Sequence, residues 1–140
     1  MSSAPLAIID TNVMFASINI ADTHHARCRE LLEGRRFELV VPMLCVAEVS
    51  HLVNRDLGAH VEAGFLESLG ELVVEPPESS DWTRIAALVR RYADFPLGAV
   101  DASIVALAER LGVTTLFTLD RRHFGAIRPA HVESFTLLPE

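Results

Sequence analysis

LAIIDTN, residues 6–12, reads as a buried strand that delivers an acid at its carboxyl end. Residues 6–10 place four apolar side chains in a row before the acid, with no polar alternation. That run is too short for a helix and has the pattern of a strand covered on both faces in a parallel sheet. Asp10 closes it. An ionised carboxylate beside buried hydrocarbon costs several kcal/mol unless it is paired or bound to a metal. Three more acids keep the same company: Glu48 in LCVAEVSHLV, Asp101 in PLGAVDASIVALA and Asp120 in TLFTLDRRHF. Four such residues in one chain point to one shared site.

The flanking sequence alternates strands with helices. Residues 22–34 read as a helix capped by Asp22 or Thr23, and 38–42 (ELVVP) as a strand ended by Pro42. Two helices, 43–56 and 58–70, break near Gly58, before a strand at 71–75 and the turn PPESS. Ser79 or Ser80 can cap a helix over 81–94 with an apolar stripe of Trp82, Ile85, Ala86, Val89 and Tyr92, ended by Phe95-Pro96. A helix from about residue 98 to 111 stops at Gly112, a strand follows at 115–119, and a last strand lies near 133–138. This alternation predicts an α/β fold, an α/β/α sandwich with a mostly parallel central sheet. In such sheets ligands collect at the carboxyl ends of strands, where Asp10 and Asp120 fall. Asp101 sits in the first turn of its helix, where the dipole favours a charged carboxylate.

Composition limits what the site can be. The 140 residues are half apolar, which predicts one domain over 1–140 with a substantial core. All 12 basic residues are Arg and none is Lys. A P-loop and Schiff-base chemistry are thereby excluded, since each needs a Lys. Response-regulator receivers and haloacid-dehalogenase-type phosphatases also begin with a strand-end Asp, but they complete their acidic sites with a Lys. The phosphatases further carry two aspartates two apart, where this chain has Asp10-Thr11-Asn12. A divalent cation is the remaining counter-charge.

No apolar run approaches the ~18 residues of a membrane helix, and MSSAPLAIID lacks the basic and apolar regions of a signal peptide, so a cytoplasmic protein with no membrane contact is expected. Cys28 and Cys45 have no CxxC spacing and read as reduced, buried thiols. The net charge of −7 argues against a nucleic-acid partner until its distribution is considered. Acids bound to metal drop out of the balance, and the arginines cluster at 27/29, 35/36, 90/91 and 121/122.

Taken singly, Asp10 and Asp120 could be turn formers and Asp101 an ordinary helix-start charge. Glu48 is harder to explain away, because a mid-helix acid flanked by Val46, Ala47 and Val49 has few polar neighbours. In order and spacing, IIDTN, VAEV, LGAVDASIVALAERLG and TLDRRHF resemble the four acidic motifs of the PIN-domain nucleases. With the Arg-Arg-His-Phe tail they are most similar to the toxin ribonucleases of bacterial VapBC toxin–antitoxin pairs. The resemblance spans essentially the whole chain.

It implies a metal-dependent endoribonuclease, and the chemistry agrees. Phosphodiester hydrolysis needs an activated water, a counter-charge for the phosphorane and help for the leaving oxygen, which carboxylate-held Mg²⁺ or Mn²⁺ supplies. In that frame Asp10 and Asp101 are the principal metal ligands, Asp120 completes the site, and Glu48 is a ligand or orients the attacking water. Asn12, Thr118 and Arg121 would hold a water or the phosphate. Mutual repulsion among the acids should raise at least one pKa. His123 is expected to pack or cap near the site rather than ligate, and His24, His25, His51, His60 and His131 to be surface or helix residues.

The resemblance also implies structured RNA such as tRNA as substrate, a homodimer, and a cognate VapB-type antitoxin bound in a heterotetramer or larger assembly. The apolar helices over 43–70 would offer the antitoxin a groove. A catalytically silent PIN-like binding module and a metal-dependent phosphatase are the alternatives.

Overall fold

Five short strands, β1 (Leu6–Ile9), β2 (Glu38–Pro42), β3 (Val73–Glu75), β4 (Thr115–Phe117) and β5 (Thr136–Leu138), form one sheet in the order β3-β2-β1-β4-β5. All four pairings are parallel, with Ile8 opposite Val40 on one side and Leu116 on the other. The computed structural model describes residues 4–140. Seven helices occur among them: α1 (Thr11–Ile18), α2 (His25–Glu33), α3 (Met43–Leu57), α4 (Ala59–Ser68), α5 (Ser79–Arg91), α6 (Ala99–Leu111) and α7 (Arg121–Ala126). Helices α1, α2 and α4 pack on the sheet face of Ile9 and Leu39, and α5 and α6 on the face of Pro42. The expected α/β/α sandwich is therefore present. Among the described residues no helix is long and apolar enough to cross a membrane.

The chain runs outward from β1 through β2 to β3, then returns to the far side of β1 with β4 and β5. The order thus reverses at β1, and the crevice beyond the carboxyl ends of β1 and β4 is where ligands collect in open parallel sheets. The central strand has no exposed side chain from Ala7 to Ile9. Helix α6 is the most deeply set: residues 102–108 are all buried, and Gly112 ends the helix at φ 68°, a left-handed position that glycine adopts without strain.

Helix α5 is locked to α6 by ions. Arg84 makes two bonds to Glu109, at 2.7 and 2.9 Å, while Arg110 reaches Asp81 at 2.9 Å and Glu78 at 3.2 Å. This shifts the expected edge of α5. Its cap is Glu78, in a capping box with Asp81, rather than Ser79 or Ser80, and it ends at Arg91. The inward stripe is Asp81, Ile85 and Leu88, whereas Trp82 is half exposed. The stripe is one residue out of phase with the apolar reading because the pair to Arg110 lets an acid face inward.

The further differences are local, and one is α7, a short helix where the sequence reading placed no element. Helix α1, unanticipated, follows β1 without a loop, its apolar residues masking any amphipathic period. Helix α2 starts at His25, since Asp22 caps the preceding turn by accepting from the His24 N–H at 2.7 Å. Part of the 71–75 strand is a 3₁₀ turn, Leu69–Glu71, and β5 is confined to Thr136–Leu138.

Candidate active site

Four elements converge on the crevice. Asp10 ends β1, Glu48 projects from the middle of α3, Asp101 stands in the first turn of α6, and Asp120 caps α7 just beyond β4. All four line one cleft of about 410 Å³, together with Asn12, Asp22 and His123. Among the described residues no arginine lines it. The chain therefore gathers its four strand-end and helix acids in one place without a basic residue other than a histidine.

Asp10 forms the floor. It is 5% exposed, with Oδ1 accepting from the Thr11 N–H at 2.7 Å and Oδ2 from the Thr118 hydroxyl at 2.8 Å. Burial pushes its carboxyl up to about 7; the charges of Asp101 and Glu48 add to this, while the two hydrogen bonds oppose it. Burial likewise raises Asp101, opposed by His123 and reinforced by Asp120 and Glu48. The sequence reading put repulsion first, but removal from water is the larger cause. Beneath Asp10 lies the buried Cys45, whose thiol is raised by burial and then by the Asp10 charge, so it stays neutral.

Thr118 is fully buried and acts as a hub: it donates to Asp10 and its oxygen accepts from the Asp120 N–H at 2.9 Å. The Asn12 Oδ1 accepts from the Leu119 N–H at 3.0 Å, tying the β1–α1 junction to the β4–α7 junction. Both residues were expected to meet water or phosphate. Both hold the segments that carry the acids in place; the Thr118 hydroxyl is enclosed, whereas Asn12 lines the cleft and its amide nitrogen makes no hydrogen bond among the described residues.

Arg121 is not brought to the cleft. Its guanidinium donates to the carbonyls of Leu137 at 3.0 Å and Pro139 at 2.7 Å, satisfying backbone at the end of the edge strand β5. Two further residues line the cleft: His123, expected to pack or cap near the site, and Asp22, to which the sequence assigned only a capping role. Asp22 looked like a helix cap because the α1 turn that folds it back was unseen. His123 donates its backbone N–H to Asp120 Oδ1 at 2.9 Å, and its Nδ1 lies 2.5 Å from Asp120 Oδ2 and 3.6 Å from Asp101 Oδ2. The one available signal was its position three residues after Asp120 on a helical turn.

The sequence pattern of the PIN domain family matches residues 7–128. This chain belongs to the PIN domain family. The PIN domain is 35% identical to ribonuclease VapC26 of Mycobacterium tuberculosis, over 94% of this chain and 99% of that protein. Its fold is similar to that of Mycobacterium tuberculosis VapC20, a Sarcin-Ricin loop cleaving toxin (TM-score 0.78, 18% identity, 91% of this chain and 98% of the other). It is also similar to VapBC2 of Rickettsia felis, solved with a DNA fragment from its promoter (TM-score 0.70, 17% identity, 94% and 96%).

Proposed function

We propose that this PIN domain is the ribonuclease toxin of a VapBC-type pair, a divalent-metal-dependent endoribonuclease in which the whole chain acts as one nuclease domain. The observation that carries the reading is the convergence of Asp10, Glu48, Asp101 and Asp120 from four elements into one cleft. The ribonuclease relative, matched almost end to end, supports the activity.

The donor set fits a hard dication. The site offers mainly carboxylate oxygens, donor atoms of Asp101, Asp120 and His123 (two oxygens and one imidazole nitrogen) lie within 4.8 Å of one another, and among the described residues no Arg or Lys lines the cleft to balance the acids. Asp10, Asp101 and Asp120 would hold Mg²⁺ or Mn²⁺. When bound, the ion supplies charge for the phosphorane and a more acidic water. Glu48 is exposed and makes no side-chain hydrogen bond among the described residues, so its carboxylate is free to orient that water or to take its proton. Thr118 and the Thr11 N–H fix Asp10 so that its two oxygens keep their direction, and Asn12 fixes the loop that carries Asp120. Arg121 steadies the β5 end rather than phosphate.

RNA in a structured context, such as tRNA, is the proposed substrate, and the cytoplasm the proposed location. VapBC structures among the similar folds support a VapB-type antitoxin partner and a dimeric or higher assembly. The test is cleavage of labelled tRNA and single-stranded DNA with Mg²⁺, with Mn²⁺ and with EDTA, by the native protein and Asp101→Asn. Discrete RNA fragments that need metal and vanish in the variant are expected. Equal cleavage in EDTA, or by the variant, refutes the assignment.

A further inference from the structure

We propose that His123 is a ligand of the metal centre, so that the site binds through one imidazole nitrogen as well as carboxylates and favours Mn²⁺ over Mg²⁺. The inference rests on the metal-dependent reading above and adds a residue and a selectivity to it.

The geometry is specific to Nδ1. That atom lies 2.5 Å from Asp120 Oδ2 and 3.6 Å from Asp101 Oδ2, and the three side chains offer donor atoms all within 4.8 Å of one another. Two cis ligands of an octahedral ion with bonds of ~2.1 Å sit about 3 Å apart, and two trans ligands about 4.2 Å apart. The 2.5 Å pair needs to open by roughly half an ångström, and the 3.6 Å pair already falls between the two limits. The ring of His123 is braced on one side. Its backbone N–H is bonded to Asp120 Oδ1, and Phe95 stands edge-on against the ring with centroids 4.9 Å apart. The imidazole therefore sits where Asp101 and Asp120 meet.

A neutral nitrogen donor suits first-row transition ions better than it suits Mg²⁺, which prefers oxygen throughout. The imidazole thus biases an otherwise all-oxygen site toward Mn²⁺. A purely positioning role, in which His123 only steadies Asp120, would affect both ions alike.

His123→Asn separates the two roles, because the asparagine amide keeps an N–H donor near the Nδ1 position while removing the imidazole. The experiment is pulsed electron paramagnetic resonance of Mn²⁺ bound to the full chain, with Mn²⁺ and Mg²⁺ affinities by calorimetry. The native protein is expected to show a ¹⁴N coupling on Mn²⁺. His123→Asn is expected to lose it, with Mn²⁺ affinity falling roughly 10-fold or more and Mg²⁺ affinity staying within about 3-fold. Native protein that binds Mn²⁺ without nitrogen coupling, coupling that survives in the variant, or an equal loss for both ions overturns the His123 assignment and leaves the carboxylate site standing. Native protein that binds neither ion overturns both.

Discussion

Replacing Asp10 by Asn should stabilise the ion-free protein at pH 8 and have almost no effect near pH 4.5. The folded carboxyl titrates at about 7 and the unfolded one at 3.8, so the folded state keeps a proton that the unfolded chain has already lost. With the folded pKa raised, stability is greatest below 3.8 and is lost as pH rises through the window up to about 7. A shift of that size corresponds to ~4 kcal/mol above the window. Asn carries no charge and escapes this cost. It gives up one bond, since its amide nitrogen cannot accept the Thr118 hydroxyl, a loss of ~1 kcal/mol. The net expectation is a gain of roughly 3 kcal/mol at pH 8 and near balance at pH 4.5, where the two terms cancel. Urea unfolding in EDTA across that range measures it, and taking the variant minus the native protein removes the titrating groups that do not sense the Asp10 charge. A variant no more stable than the native protein at pH 8, or a difference that does not change with pH, refutes the claim that burial strains Asp10.

Thr118→Val should destabilise the fold by about 2 kcal/mol, by stripping Asp10 of a donor and the Asp120 N–H of its acceptor, and should lower cleavage, while Thr118→Ser stays close to native. Urea midpoints and initial cleavage rates check both. Arg110→Met should cost roughly 2 kcal/mol, because Asp81 is left buried and unpaired, yet leave Mn²⁺ affinity unchanged, since the α5–α6 pair lies outside the cleft. Cys28 and Cys45, both fully buried and with raised thiol pKa values, should resist a thiol reagent at pH 8 and react only in denaturant. Rapid modification of native protein would show that the floor beneath Asp10 is open.

The order of strands, the five longer helices between them, the parallel sheet and the four acids were legible in the sequence by itself, while α1 and α7 were not. A run such as LAII has only one economical use, a strand hidden on both faces, and an acid at its end has to be answered for by a site. Glu48 stood out for the same reason, as a charge among Val46, Ala47 and Val49. Hydrophobic periodicity reports what is buried, but not which partner makes a burial tolerable. Asp81 faces inward and Trp82 outward because Arg110, on a different helix, neutralises the acid, and α1 escaped notice because a helix with no solvent face has no period to read.

The roles of polar side chains were decided only by the tertiary structure. Thr118 and Asn12 are committed to Asp10, Asp120 and Leu119, Arg121 is drawn to β5 carbonyls, and His123 is swung between Asp101 and Asp120. Two of these contacts, Thr118 to Asp10 and Leu119 to Asn12, join the ends of β1 and β4, which are neighbours only because the sheet order reverses at β1. A hydrogen bond depends on ångström distances between segments up to 108 residues apart in the chain, and spacing along the sequence carries no such information.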